Sequence, residues 1–258
     1  MRAVIAGGGR GTRHGGLTRT AIGLAAVALT VGGCTLEDVD GDDETGGTAR
    51  PSESSESSGA SGSPEAPGAG GSGVSDVLPG LPAPDEAREL LAGLTVAEPR
   101  PMTGYSRDAF SHWTSTDGCT TRQTVLIRDA EDVAVDDDCA PTSGSWRSAY
   151  DGETFEDPGD LDIDHIVPLA NAWRSGADSW TDDRREELAN DLQGPQLLAV
   201  SAASNRSKGD QSPDEWLPPA EDFHCTYAVA WTTVKDTYEL TVTDTERDEL
   251  TRLLDTCP

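Results

Sequence analysis

The sequence predicts an α+β fold in which a short pair of strands is accompanied by separate helices. Two short apolar runs, Leu161–Val167 and Gln196–Val200, have the length and spacing of strands. Three- and four-residue apolar spacing recurs elsewhere, in stretches that begin with helix-capping residues. No internal repeat is present in the 258 residues. The mixture of the two patterns therefore indicates one α+β domain with flanking helices.

Residues 1–33 have the order of an export signal. Four arginines and no acidic residue come first, followed by the apolar run Ala21–Val31 and by small residues before Cys34. The end of this segment resembles a bacterial lipoprotein cleavage site, which implies cleavage before Cys34 and lipidation of its thiol. The alternative is a plain signal peptide followed by an incidental cysteine. The chain is therefore expected to be lipid-anchored to the outer face of the cytoplasmic membrane, or secreted if it is not lipidated.

Residues 34–75 read as a flexible acidic linker, because they are rich in Gly, Ser and Pro and contain no aromatic residue. The whole chain carries 47 acidic and 19 basic side chains, a formal net charge of -28. This charge argues against a protein that binds phosphate backbones through a broad basic face. No apolar run reaches the roughly 18 residues of a spanning helix, which excludes an integral membrane bundle.

The packed part of the chain is predicted over residues 76–258, because every Trp, Tyr and Phe lies between Tyr105 and Tyr238. Four cysteines fall in this part: Cys119, Cys139, Cys225 and Cys257. An even number in an exported chain indicates two disulfides. Of the three possible pairings we favour Cys119 with Cys139 and Cys225 with Cys257, since each closes a local loop.

Three elements are predicted before the strand Leu161–Val167. A short leading helix is predicted over Pro84–Leu94, with acidic residues near its start. Thr124–Arg128 is a run of strand-forming residues, and Trp146–Tyr150 is its candidate partner. The strand Leu161–Val167 must end there, because Pro168 cannot donate to a continuing ladder.

The remaining elements are predicted mainly from capping residues. Helices are expected at Thr181–Leu192, at Ser201–Lys208 after the second strand, and from Ser212 through Trp216, where Ser-Pro-Asp-Glu forms a capping box. The last two helices carry apolar stripes: Tyr227, Trp231, Val234 and Tyr238 in one, and Leu250, Leu253 and Leu254 in the other, after the cap at Thr243.

Chemistry-bearing residues concentrate at the ends of the two apolar strands. An acid directly precedes a histidine at Asp164 and His165, and strings that begin with asparagine follow at Asn190 and Asn205. His165 can accept a proton at neutral pH, and Asp164 is an oxygen ligand suited to Mg²⁺ or Mn²⁺. Neighbouring strand residues point to opposite faces. These two side chains therefore converge on one phosphate only if the strand bends or ends there.

Three strings resemble those of the HNH (ββα-metal) endonuclease superfamily, in particular its secreted actinobacterial branch and the C-terminal nuclease domain of GmrSD-type restriction enzymes. They are Asp-His-Ile-Val-Pro-Leu from Asp164, Asn-Asp-Leu from Asn190, and Asn-Arg-Ser-Lys-Gly-Asp from Asn205. Two accompanying strings, from Trp173 and Trp216, extend the resemblance to about residues 105–254. The resemblance implies a ββα-metal core for the predicted domain.

The resemblance also implies a role for each residue. Asp164 and Asn205 would bind one divalent cation, Mg²⁺ or Mn²⁺, and His165 would be the general base. Asn190 would hold the loop and orient the base through hydrogen bonds. The residues expected to contact phosphate are Arg206 and Lys208, and also Arg122 and Arg174. The other two histidines of the predicted domain, His112 and His224, are interpreted as structural. Asp162 would either orient His165 or face solvent.

These residues predict a metal-dependent endonuclease that acts on DNA, with RNA as the second candidate substrate. The alternative is a non-catalytic surface lipoprotein that uses the same scaffold as a binding module. Residues 76–258 carry 38 acidic and 14 basic side chains, which favours the alternative. Retention of the base and both ligands favours the enzyme. The only membrane contact predicted is the lipid anchor, and no motif indicates a protein partner.

Overall fold

The structure, a computed structural model, describes residues 77–258. The signal predicted over residues 1–33, the linker predicted over 34–75 and the lipidation predicted at Cys34 lie outside these residues. The helices of the described part are α1 Pro84–Gly93, α2 Thr121–Arg128, α3 Leu169–Arg174, α4 Asp182–Ala189, α5 Ala202–Lys208, α6 His224–Thr237 and α7 Asp244–Leu254. Its strands are β1 Ser115–Thr116, β2 Cys119–Thr120, β3 Glu131–Val135, β4 Pro141–Arg147, β5 Thr154–Phe155, β6 Leu161–His165 and β7 Leu197–Ser201. The α+β prediction is confirmed.

The strand pair β6 and β7 is the centre of the fold. The two strands are antiparallel, with a register that runs from Leu161 opposite Ser201 to His165 opposite Leu197. The amide of Ile166 still donates to the backbone carbonyl of Gln196 at 2.8 Å, but the amide of Val167 donates to the side chain of Gln196, to Oε1 at 3.1 Å, so the backbone ladder ends just after His165. Helix α5 follows β7 directly and packs against both strands.

The two faces of the strand pair contact different hydrophobic clusters. Leu198 and Val200 of β7 belong to the larger cluster, which is built around the buried helix α6. Leu197 and Ala199 belong to a smaller cluster on the other face, with residues of α2 and β4. Alternate residues of a strand point to opposite faces, so the pair lies between the two clusters with both faces covered.

The strand predicted at Thr124–Arg128 is wrong, because these residues form the end of helix α2. Thr120 caps this helix with a capping box: its hydroxyl accepts from the amide of Gln123, whose side chain accepts from the amide of Thr120. This cap outweighs the β-branched composition of the run. The strand predicted at Trp146–Tyr150 is shifted: the observed strand, β4, lies earlier in the chain and ends at Arg147. It pairs with both β3 and β5.

The helix predicted from Ser212 through Trp216 is reduced to a single turn. The amides of Glu215 and Trp216 both donate to the carbonyl of Ser212, at 2.9 and 3.0 Å. The turn cannot propagate, because the prolines at 218 and 219 have no amide hydrogen. The other predicted helices are present, with ends that shift by up to three residues.

Both favoured disulfides are confirmed, Cys119 with Cys139 and Cys225 with Cys257. The first joins β2 to the loop that precedes β4, and the second joins α6 to the end of the chain. Each closes a local loop, as the pairing argument requires. Among residues 77–258, no helix is long and apolar enough to cross a membrane.

Candidate active site

A cavity of about 210 Å³ lies beside β6, where the strand has no further partner in the described sheet. It is lined by residues from β6, from the start of α3, from the end of α5 and from the 3-10 turn Arg107–Ala109: Tyr105, Arg107, Ile163, Asp164, His165, Pro168, Leu169, Ala170, Asn205, Gly209 and Asp210. The sequence predicted that Asp164, His165 and Asn205 act together, and the fold brings all three to this cavity.

His165 is held in one orientation at the end of β6. The residue is 4% exposed, and Nε2 lies 3.0 Å from the carbonyl oxygen of Ala189. Because a carbonyl can only accept, Nε2 carries the proton and Nδ1 is the nitrogen that can take up another. Burial lowers the pKa of His165 to about 3, and the positive charges of Arg107 and Lys208 act in the same direction. The imidazole is therefore neutral at neutral pH.

Asn190 is the C-cap of α4 and connects this helix to the segment that precedes α2. Its Oδ1 accepts from the amide of Thr114 at 3.1 Å and from the hydroxyl of Thr121 at 2.8 Å. Its Nδ2 donates to the carbonyls of Ser111 and Glu186, at 2.7 and 2.8 Å. Asn190 thus makes four hydrogen bonds that hold a loop, which is the type of role that the resemblance implies for it.

Asp164 is buried and ion-paired. Lys208 Nζ lies 2.7 Å from Oδ2 and 3.0 Å from Oδ1 of Asp164, and the hydroxyl of Tyr150 donates to Oδ2 at 2.5 Å. The third contact of the ammonium is the carbonyl of His165, at 2.8 Å. Burial raises the pKa of Tyr150 well above its usual value, so this hydroxyl stays protonated and remains a donor.

The expectation that Lys208 contacts phosphate is not met by this geometry. Its side chain is fully buried, and its three protons have three acceptors inside the molecule. The physical reason is the helical spacing of α5, which turns Asn205 and Lys208 to the same side, toward β6. Lys208 therefore neutralises Asp164, while the neighbouring Arg206 has a 77% exposed side chain.

Asp164 and Asn205 offer oxygen atoms that fit a divalent cation. Asn205 Nδ2 donates to Asp162 Oδ2 at 3.2 Å, so its amide oxygen is the atom that Asn205 can offer. A carboxylate and an amide oxygen are donors that Mg²⁺ and Mn²⁺ prefer. Within residues 77–258, no group of three His, Cys, Asp or Glu side chains is arranged to hold a metal. A cation here would therefore be completed by water and by substrate, as is usual for Mg²⁺.

Comparison with known proteins identifies the family. Residues 117–253 match the family described as GmrSD restriction endonucleases, C-terminal domain. The chain belongs to this family. The match covers β6, β7 and α5 with all of their site residues, and it indicates a nuclease-type function. An "Uncharacterized secreted protein" of Arthroderma benhamiae is 52% identical over 180 residues, which cover 69% of this chain and 88% of the relative. No solved structure matches the chain.

The arginines predicted to contact substrate in this GmrSD-type domain differ in their availability. Arg206 is exposed, with Nε 3.9 Å from Asp162. Arg174 is bound to Asp210 through its side chain at 2.8 Å and its backbone carbonyl at 2.7 Å. Arg122 lies away from the cavity lining and donates to the carbonyls of Pro158 and Leu161. Of these three arginines, Arg206 is therefore the one that can turn to a ligand without breaking a short hydrogen bond or ion pair among residues 77–258.

Sequence reasoning missed two residues next to His165. Arg107 lines the cavity, is exposed, and donates to Nε2 of His112 at 3.4 Å. Trp113 stacks on the imidazole of His165, with ring centroids 5.7 Å apart. Both precede the region 117–253 that matches the GmrSD family. The signal that could have marked them is the cluster of aromatic and basic side chains between residues 105 and 113.

Proposed function

We propose that this chain is a metal-dependent endonuclease that hydrolyses the phosphodiester bonds of DNA, outside the cell membrane. The observation that carries the proposal is that a neutral histidine, a carboxylate and an amide oxygen meet in one cavity at the end of β6. Family membership supports the nuclease class. Hydrolysis of phosphodiesters requires a base for water and a positive charge near the phosphate, and these residues offer both.

His165 acts as the base in the proposed reaction. Nδ1 takes a proton from a water molecule, the water oxygen bonds to phosphorus, and the bond from phosphorus to the 3′ oxygen breaks. The carbonyl of Ala189 holds the other ring nitrogen, so the imidazole keeps Nδ1 as its acceptor. A bound phosphate brings negative charge close to His165 and raises its pKa from the low value of the free protein. The departing 3′ oxygen takes a proton from solvent water and His165 returns its proton to solvent, so the products carry 5′-phosphate and 3′-hydroxyl ends.

The cation would be held by Asp164 and Asn205, and when bound it supplies positive charge for the phosphate and the departing oxygen. Lys208 and Tyr150 fix the orientation of the Asp164 carboxylate from the protein side. The exposed side chains of Arg107 and Arg206 would contact phosphate, because neither has a short contact to a carboxylate among residues 77–258. Lys208 is not proposed for that role.

The test is nicking of a supercoiled plasmid by the purified protein with Mg²⁺ or Mn²⁺. His165→Ala is expected to remove activity, as is excess chelator. His224→Ala is the matched control, since His224 contacts the carbonyl of Pro218 and does not line the cavity. Thermal unfolding of each variant shows that it is folded. Full activity of folded His165→Ala would refute the assignment, and single-stranded RNA in the same assay decides the substrate class.

A non-catalytic binding module is the second candidate, and one observation favours it. Asp164 already has an internal counterion in Lys208, and so it has less need of a metal ion. In that case the plasmid stays intact under all metal conditions, while the protein still retains nucleic acid on a gel. The nicking assay therefore separates the two functions.

We propose further that the chain is exported and lipidated at Cys34. The description of the 52% identical relative as secreted supports export, together with the signal-like order of residues 1–33. Incorporation of radioactive palmitate into the wild type, and its loss in Cys34→Ala, is the expected result. A mature protein without label would contradict the anchor and leave export standing.

A further inference from the structure

The segment 111–121, which we call the strap, contacts His165 through the ring of Trp113. It contains Trp113, whose backbone has φ 62°, in the left-handed region. A bulky residue with positive φ is an outlier, and this conformation strains the backbone. The surrounding structure must therefore fix this conformation, and strained residues of this kind concentrate at functional sites.

The hydrogen bonds of Asn190 fix the strap on both sides of Trp113. Nδ2 donates to the carbonyl of Ser111, two residues before it, and Oδ1 accepts from the amide of Thr114, directly after it. The far end of the strap is tied by Thr121, whose hydroxyl lies within hydrogen-bond distance of both Asn190 Oδ1 and the carbonyl oxygen of Thr114. One amide side chain thus determines where the indole of Trp113 lies.

The indole of Trp113 covers one face of the His165 imidazole. The ring centroids are 5.7 Å apart and the ring planes are inclined by 29°. The edge of the imidazole is fixed by the carbonyl of Ala189, the residue before Asn190. A ring held by a stack on one face and a hydrogen bond at one edge cannot rotate without losing both contacts. Trp113 does not line the cavity, so it does not reach a ligand there.

We propose that Trp113 is a positioning residue, which holds the imidazole of His165 with Nδ1 toward the cavity. The effect of Trp113 on catalysis rests on the proposed function, whereas its effect on the orientation of the imidazole rests on the geometry alone. This positioning role also explains how Asn190 acts on the base without touching the cavity. The amide clamps the strap, and the strap places the indole on the imidazole.

A purely structural role is the competing explanation, because Trp113 also packs against the smaller hydrophobic cluster. Two variants separate the roles. Trp113→Phe retains an aromatic face for the stack, whereas Trp113→Met retains an apolar side chain and removes the face. Both are compared with the wild type by plasmid-nicking kinetics and by thermal unfolding. Trp113→Leu replaces the Met variant if that one does not fold.

The decisive measurement is a long-range proton–nitrogen NMR correlation of the histidine rings in metal-free, ¹⁵N-histidine-labelled protein, with His165→Asn to assign the signals. We expect His165 to show one tautomer, protonated at Nε2, in the wild type and in Trp113→Phe, and a mixture in Trp113→Met. The Met variant should lose about 10- to 100-fold in kcat, with KM within about 2-fold, as is typical when a catalytic group loses its support.

Two results would overturn the proposal: wild-type kcat in Trp113→Met, or a loss of kcat while the tautomer of His165 stays fixed. If the wild type has no nuclease activity, the proposed function fails, and the NMR comparison alone decides the positioning role. A tautomer mixture in the Met variant then supports it, and an unchanged spectrum overturns it.

Discussion

The buried pair of Lys208 and Asp164 allows a prediction of stability from geometry. Lys208→Met removes the ammonium while keeping the length of the side chain, and it leaves the carboxylate buried with Tyr150 as its remaining side-chain donor. The side chains are 0% and 6% exposed, so in Lys208→Met the place of the ammonium is taken by a buried apolar group and not by bulk water. Breaking a pair buried in this way costs about 3–5 kcal/mol. For a domain of this size the melting temperature should fall by about 6–20 °C.

The measurement is denaturant unfolding in chelator at pH 7, for Lys208→Met, Asp164→Asn and the double variant. The double variant should be more stable than the sum of the single changes predicts, by about 2 kcal/mol, because it buries neither charge alone. Arg100→Met is the matched control, since Arg100 and Asp178 form an ion pair with side chains 45% and 29% exposed. Such a pair contributes about 1 kcal/mol at most. If Lys208→Met costs no more than Arg100→Met, the pair does not stabilise the fold.

Three further predictions concern pH, disulfides and substrate binding. The pKa of His165 is lowered to about 3 in the folded chain, so between pH ~6.5 and ~3 the unfolded chain binds a proton that the folded chain does not. As the pH is lowered from about 6.5 to about 3, the free energy of unfolding should decrease by up to about 5 kcal/mol. A pH series of urea unfolding should show a smaller decrease in His165→Asn. Replacing Cys119 and Cys139 by Ser opens a loop of sequence separation 20 and should lower the free energy of unfolding by about 3 kcal/mol in the same assay. An unchanged free energy of unfolding would mean that the disulfide does not constrain the unfolded chain. Arg107→Ala should raise KM for DNA several-fold with little change in kcat. Arg252→Ala on helix α7 is the control and should leave KM unchanged, so equal effects of the two variants would show that Arg107 is not part of the site.

The sequence predicts the centre of the fold because local signals there agree with each other. The apolar runs of β6 and β7 are short and bounded, and α5 follows at once with its own cap at Ser201. The error at Thr124–Arg128 has a local cause, since composition favours a strand and only the capping box of Thr120 shows the helix. Propensity is a weak prior, and the cap decides.

The candidate site is predictable to the extent that its residues belong to contiguous strings. Asp164, His165 and Asn205 converge because the strand pair and the following helix fix their relative positions. The burial of Lys208 is not predictable, since lysine is almost never fully buried unless it is paired and its partner lies far back in the chain. Trp113 meets His165 only through long-range packing: the cluster of aromatic and basic side chains between residues 105 and 113 marks the segment but does not show which residue it contacts.

The internal pairing of the basic side chains affects how such a nuclease responds to salt. Arg122, Arg174 and Lys208 are bound within the molecule. This leaves Arg107, which lines the cavity, and the exposed Arg206, which follows the lining residue Asn205 in the chain, to displace counterions from a nucleic acid. With two phosphate contacts, the logarithm of the binding constant should fall with the logarithm of salt concentration with a slope near about -2, far shallower than for a protein with a basic face. Affinity would then depend little on ionic strength. This would suit the exported nuclease proposed above, since the cell does not control the salt content of an external medium.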